Sequence, residues 1–360
     1  MFKQMLVTII ALSGVNEAAA QTMATPQSCP MPSIVDKADL KPVPGSDLMT
    51  VPVEINGKSK QFLLDIGTGP TEVSEVTVKE LALPGANQSS DTLLNSGAYS
   101  NGFDQFRNFS MGTQVQAAML DVTGARSAGD YQARVRIADF GIGGNTGHNL
   151  QIPIANDREM GKSEPYDGLL TANFFAQYDI DFDFSGKQIT FVTPTTCGDP
   201  SQVVLWPHTV VAIVPMKLSG GKISVPVTIN GHTINAALDF GSAQTVMRRD
   251  IAETVFGLHA DTPDMMPDSG ARDGTGQLIY RHTFPQIAFE GVTASNVPVR
   301  IQVNSMVHRI NRTPILGSRA QFAADPAERI PDLALGMDVL HQLHLYAAFG
   351  QDKLYVTAAQ

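Results

Sequence analysis

The chain states one pattern twice, and that repeat limits what it can fold into. Phe62-Leu63-Leu64-Asp65-Ile66-Gly67-Thr68 and Ala236-Ala237-Leu238-Asp239-Phe240-Gly241-Ser242 each run from apolar residues into Asp, one apolar residue, Gly and a hydroxyl residue. Their approaches repeat as well, Val51-Pro-Val-Glu-Ile-Asn-Gly57 before the first copy and Val225-Pro-Val-Thr-Ile-Asn-Gly231 before the second. Val225 lies 174 positions after Val51, and Asp239 lies 174 positions after Asp65. A shared offset without a gap marks an internal duplication. At 360 residues the chain has room for two units, each with its own core. A duplicated lone Asp predicts an active site made of two carboxylates, one from each half.

The net charge of −10 argues against a nucleic-acid or anionic-membrane partner, since both require a basic face. Lys3, the apolar run Met5–Leu12 and the small residues Ala18-Ala19-Ala20 have the layout of a secretory signal peptide over residues 1–20. The apolar run is well short of the roughly 20 residues that span a bilayer. Export to a periplasmic or extracellular location is therefore expected, with no membrane attachment after cleavage. The chain has two cysteines, Cys29 and Cys197, both outside the repeated units. In an exported protein they are a disulfide candidate, and two buried free thiols are the alternative.

Residues 21–48 are rich in Pro, Ser and Asp and read as a loosely packed leader. The first lobe is expected over 49–196, a linker over 197–202 and the second lobe over 203–360. Within each lobe Asn-Gly, at Asn56-Gly57 and Asn230-Gly231, signals a hairpin between alternating strands. The second arm of each hairpin runs into its Asp. A short helix is expected near 72–83 and another near 251–258. Residues 87–129 are polar and Gly-rich, with no equally long counterpart in the second half, and read as an irregular or β-rich insertion. Late in each half the repeat resumes with Asp167-Gly168-Leu169-Leu170 and Asp332-Leu333-Ala334-Leu335, now 165 positions apart.

An Asp before Gly at the end of a strand ordinarily caps a turn, and each copy alone has that simple reading. Duplication changes the balance, because a pseudo-two-fold axis between two lobes brings equivalent positions together. Two adjacent carboxylates cannot both ionise, so one is pushed to keep a proton. Such a pair activates water as a base and protonates a carbonyl oxygen as an acid, with no metal, cofactor or nucleophilic side chain. His341 and His344 lie three apart without a third ligand nearby, so no metal site is expected. No Gly-x-Ser-x-Gly elbow or phosphate-binding glycine loop occurs.

These motifs resemble those of the retropepsin-like and pepsin-like aspartic proteases, in particular exported bacterial proteins with two retropepsin-like repeats in one chain. Leu63-Leu64-Asp65-Ile66-Gly67 and Ala237-Leu238-Asp239-Phe240-Gly241 match the family's catalytic motif. Asp167–Thr171 and Leu333–Gly336 match its later apolar-apolar-Gly segment. The resemblance implies a mainly β, bilobal acid-protease fold made of two homologous β-barrel-like lobes with a cleft between them. It also implies Asp65 and Asp239 as the catalytic pair, with Gly67, Thr68, Gly241 and Ser242 supporting the dyad. In the family the hydroxyl after Asp-x-Gly bonds the carboxylate; ordinary turn chemistry is the other reading of Thr68 and Ser242. Flap loops are expected near Ala125–Tyr131 and Gly270–Gly276, with Tyr131 as the first flap's aromatic.

The chain departs from the family where Ile66 and Phe240 replace Thr or Ser between Asp and Gly. Those hydroxyls normally cross the lobe interface and brace the opposite loop. An aliphatic and an aromatic side chain brace only by packing, or they spread the loops. The expected function is thus an exported aspartic-type endopeptidase acting on a peptide or unfolded protein. The alternative is a catalytically impaired homologue that binds peptides or proteins in the same cleft. A monomer is expected, since one chain holds both halves of the site.

Overall fold

The computed structural model describes residues 32–66, 71–85, 133–155, 165–175, 177–196, 198–219, 222–303 and 330–359. The first half contains β1 (Ile34–Asp39), β2 (Lys41–Pro42), β3 (Met49–Ile55), β4 (Lys58–Leu64), β5 (Glu72–Val73) and α1 (Glu75–Glu80). It continues with β6 (Arg134–Ile142), β7 (Asn145–Pro153), β8 (Gly168–Leu170), α2 (Ala172–Phe175), β9 (Asp179–Asp183) and β10 (Gln188–Val192). A short helix, α3 (Pro200–Val203), follows in the connection. The second half runs through β11 (Ala212–Pro215), β12 (Lys217–Ser219), β13 (Lys222–Ile229), β14 (His232–Leu238), β15 (Val246–Arg248) and α4 (Arg249–Phe256). It ends with β16 (Met266–Arg272), β17 (Leu278–Phe289), β18 (Val292–Gln302), β19 (Leu333–Leu335), α5 (Met337–Leu340), β20 (Leu343–Ala348) and β21 (Lys353–Ala358).

The β3–β4 and β13–β14 hairpins form where the Asn-Gly pairs stand. Asn56 and Gly57 have φ of 51° and 74°, and Asn230 and Gly231 have φ of 49° and 82°. Both central residues at positive φ match the twist of the flanking strands, and Asn and Gly tolerate that region best. Inward residues alternate along the strands: Val51, Val53 and Ile55 on β3, and Ile223, Val225, Val227 and Ile229 on β13 are all buried. α1 starts where the Ser74 side chain accepts from the Thr77 amide, and α4 stops at Gly257, which is left-handed with φ 65°.

The molecule is mainly β and bilobal, with three sheets among the described residues. A seven-stranded sheet belongs to the first lobe and an eight-stranded sheet to the second. A six-stranded sheet in the order β1-β10-β9-β20-β21-β11 joins the lobes, with three strands from each half. Its centre is the antiparallel β9–β20 pair, where Phe182 faces Leu345 and Ile180 faces Ala347. The largest apolar cluster runs through both lobes and this shared sheet. His344 of β20 is buried there, its Nε2 2.6 Å from Asp181 Oδ1 and its ring stacked on Trp206, so it packs the connection between halves.

The expected leader is corrected from residue 34 onward. β1 pairs with β10 at the edge of the shared sheet, and Ala38 and Leu40 are buried. The Pro- and Asp-rich composition hides a strand that is specified by its partner β10 more than by its own alternation. The first lobe's hairpin strands also extend further than their glycines imply: β6 and β7 leave only Gly143-Gly144 as the turn, capped by Asp36, which accepts from the Gly144 and Asn145 amides. In the second lobe the polar stretch expected as a loop at 267–276 supplies strand β16. The segments expected as a signal peptide, as the 87–129 insertion and as a flap near Ala125–Tyr131, together with Cys29 and Cys197, lie outside the described residues. Among the described residues no helix is long and apolar enough to cross a membrane.

Candidate active site

Each lobe ends a strand at one aspartate. In the first, β4 pairs in parallel with β8, while β5 pairs with the other edge of β8 in the antiparallel sense. The chain therefore leaves β4 at Asp65 and pairs again, as β5, on the far side of β8. In the second lobe β14, β19 and β15 repeat this arrangement around Asp239. The Asp65 amide donates to the Leu170 carbonyl at 2.9 Å and the Asp239 amide to the Leu335 carbonyl at 2.9 Å. Both aspartates thus occupy the same place in their lobes.

A second symmetric bond holds each loop from behind. The Thr171 amide donates to the Thr71 hydroxyl at 3.2 Å, and the Gly336 amide to the Thr245 hydroxyl at 3.0 Å. Thr245 also donates its hydroxyl to Asp338 Oδ1 at 2.6 Å and its amide to Asp338 Oδ2 at 3.0 Å. Thr71 and Thr245 are separated by the same 174 positions as the aspartates, which was the signal for them in the sequence.

The two loops meet. A Cβ placed on Gly241 would stand 2.6 Å from Asp65 Cγ and 2.7 and 2.9 Å from its two carboxylate oxygens. Only a glycine lets the second loop come this close to the first lobe's carboxylate. Ile66 and Phe240 have not spread the loops, because both side chains turn into the interior and are almost fully buried. The Phe240 ring lies 5.0 Å from Phe182 and 5.1 Å from Phe184, edge-on to both. Those rings belong to the first half of the chain, so Phe240 crosses between halves by apolar packing.

Asp65 is buried and Asp239 partly so. Asp239 is pushed up to about 7, first by removal from water and second by the charge of Asp65. Lys222 and the backbone amides of Gly241 and Ser242 pull in the opposite direction. Asp239 therefore keeps its proton to higher pH than an ordinary carboxyl. A protonated acid beside an ionised one offers an acid for a carbonyl oxygen and a base for water.

The supporting residues divide. Gly241 makes the inter-loop contact, and the Ser242 amide helps hold Asp239. The Ser242 hydroxyl is not on the carboxylate expected for it; it donates to the Gln244 carbonyl at 2.9 Å, two residues on, as Ser does in tight turns. Gly67 and Thr68 lie outside the described residues. The stretch at Gly270–Gly276 is the end of the β16–β17 hairpin, where Asp273 accepts from the amides of Thr275, Gln277 and Val303. These bonds hold its carboxyl below the usual range despite partial desolvation. Among the described residues no group of His, Cys, Asp and Glu is placed to hold a metal ion.

Each lobe thus brings one aspartate on a strand-terminating loop to the junction between the halves. The family model described as aspartyl protease matches residues 225–339, the segment from β13 through Asp239 to α5. No curated protein matches the chain. Among solved structures it is similar to basic 7S globulin from soybean, at 11% sequence identity and a TM-score of 0.45, over 92% of this chain and 96% of that one.

Proposed function

We propose that the protein is an aspartic-type endopeptidase in which Asp65 and Asp239 activate one water against a peptide carbonyl. The observation that carries this reading is the contact of the second loop's Gly241 with the Asp65 carboxylate, beside which burial and the charge of Asp65 push Asp239 up to about 7. One carboxylate removes a proton from the water as it attacks the carbonyl carbon. The other donates its proton to the carbonyl oxygen, giving a neutral diol. The first carboxylate then gives its proton to the amide nitrogen while the second takes one back from a diol hydroxyl, so that the C–N bond breaks to an acid and an amine and the pair finishes in its starting state. The peptide would lie extended in the cleft between the lobes.

The catalytically silent reading rests on the loss of the hydroxyl braces at Ile66 and Phe240; the close Gly241 contact weighs against the part of it in which these side chains spread the loops. Export and cleavage near Ala20, a Cys29–Cys197 disulfide, two retropepsin-like repeats of the exported bacterial kind and a monomeric state belong to the same proposal. The test is digestion of a reduced, unfolded polypeptide at acidic pH with and without a statine-type inhibitor, whose hydroxyl mimics the diol. Cleavage that the inhibitor abolishes is expected. Cleavage that is indifferent to the inhibitor, or no cleavage at any pH, overturns the reading.

A further inference from the structure

At one position facing the two aspartates the duplication sets an apolar residue against a charged one. On β13 and β14 the partners are Ser224–Ala237, Val225–Ala236 and so on to Ile229–His232, each pair following the last without a bulge. Two steps beyond Ser224–Ala237, that register puts Lys222 opposite Asp239. Burial agrees: along β13 Ile223 and Val225 face the core while Lys222 and Ser224 take the other face. Directly opposed residues in an antiparallel pair have Cβ atoms about 4.5–5.5 Å apart, within easy reach of a lysine side chain.

The first lobe follows the same rule. On β3 and β4, Thr50 faces Leu63, and two further steps put Leu48 opposite Asp65. Leu48 and Lys222 are again 174 positions apart. Thus one aspartate faces an aliphatic side chain and the other an ammonium. Leu48 packs against the core, whereas Lys222 is half-buried at the end of the β12–β13 hairpin. The duplication has been kept in the backbone and broken in this charge.

We propose that Lys222 is a positioning residue of the pair, whose ammonium keeps one net negative charge on the two carboxylates and draws that charge towards Asp239. The groups acting on Asp239 are Asp65 from the facing loop, Lys222 from β13, and the amides of Gly241 and Ser242 from its own loop. Lys222 is the one cation among them. A positive charge beside a coupled acid pair eases loss of the first proton and of the second, so both limbs of its titration move to lower pH. Lys222 would then extend the working range of the pair on its acid side and close it on its alkaline side. The inference rests on the peptidase reading for its catalytic consequence and on strand register for its geometry.

The test compares wild type, K222M and K222R in two ways. In the pH profile of kcat/KM, K222M is expected to move both limbs upward by on the order of one pH unit, and K222R to restore the wild-type profile. A lysine that only packs the hairpin would change activity or stability without moving the limbs. The second readout is carboxyl carbon-13 titration of Asp65 and Asp239, which needs no turnover. If the titration moves in K222M but no variant cleaves peptide, the charge inference stands and the peptidase reading fails. If wild type cleaves and neither the titration nor the profile moves in K222M, the inference is overturned and the peptidase reading survives.

Discussion

Phe240 lies edge-on to Phe182, with ring centroids 5.0 Å apart and planes at 84°, and the two rings come from different halves of the chain. The residue beside the second aspartate thus reaches the shared sheet through β9. A hydroxyl at this position would brace by a hydrogen bond; here the brace is burial of a full aromatic ring against Phe182 and Phe184. Phe240→Ala is therefore expected to cost about 3–5 kcal/mol, measured by denaturant unfolding. Phe240→Thr should also lower stability and turnover, because its hydroxyl would sit in an apolar pocket cut for a ring. A gain of cleavage in the Thr variant would contradict this packing role.

Gly241 has no room for a side chain. A methyl group there would press on the Asp65 carboxylate, which has a polypeptide loop on one side and its own strand on the other. Gly241→Ala should lower kcat/KM by about 100-fold or more through misplacement of the pair, with the circular dichroism of the β-sheets retained. Wild-type turnover in that variant would mean that the loops are not held at this spacing.

The buried acids set the direction of the pH dependence of stability. Asp239 is raised to about 7, and desolvation also raises Asp179 and Asp181 above the usual carboxylate range. In each case the folded protein keeps its proton to higher pH than the unfolded chain does. The resulting stability is complete below the unfolded carboxylate range and is lost as pH rises through the folded values, which for Asp239 means up to about 7. Melting temperature should therefore fall between about pH 4 and about pH 7, and Asp239→Asn should flatten part of that slope. A melting temperature that rises across the window would contradict these assignments.

Much of this architecture was legible because the sequence carries two copies of it. The Asn-Gly turns and the strands that end at Asp65 and Asp239 recur at an offset of 174, and the returning Leu169-Leu170 and Ala334-Leu335 segments at 165, all as local patterns. What escaped was set by partners far away in the chain. β1 has little alternation of its own and exists through β10, although moving the β11 region back by 174 positions points to it. Phe240 seemed able to force the loops apart because its pocket, formed by Phe182 and Phe184, is some sixty residues earlier in the chain and carries no local mark. Lys222 is ordinary in sequence and becomes part of the site only through strand register.

The most direct measurement is the rate of peptide-bond cleavage by Asp65→Asn and Asp239→Asn beside wild type, on one unfolded substrate across the acidic range. Each Asn keeps the shape of the side chain and removes the ionisable proton. If the two carboxylates work as a single unit, either change alone should abolish cleavage, and the double variant should be no worse than either single one. Equal cleavage by wild type and Asp239→Asn would contradict a catalytic pair at this junction.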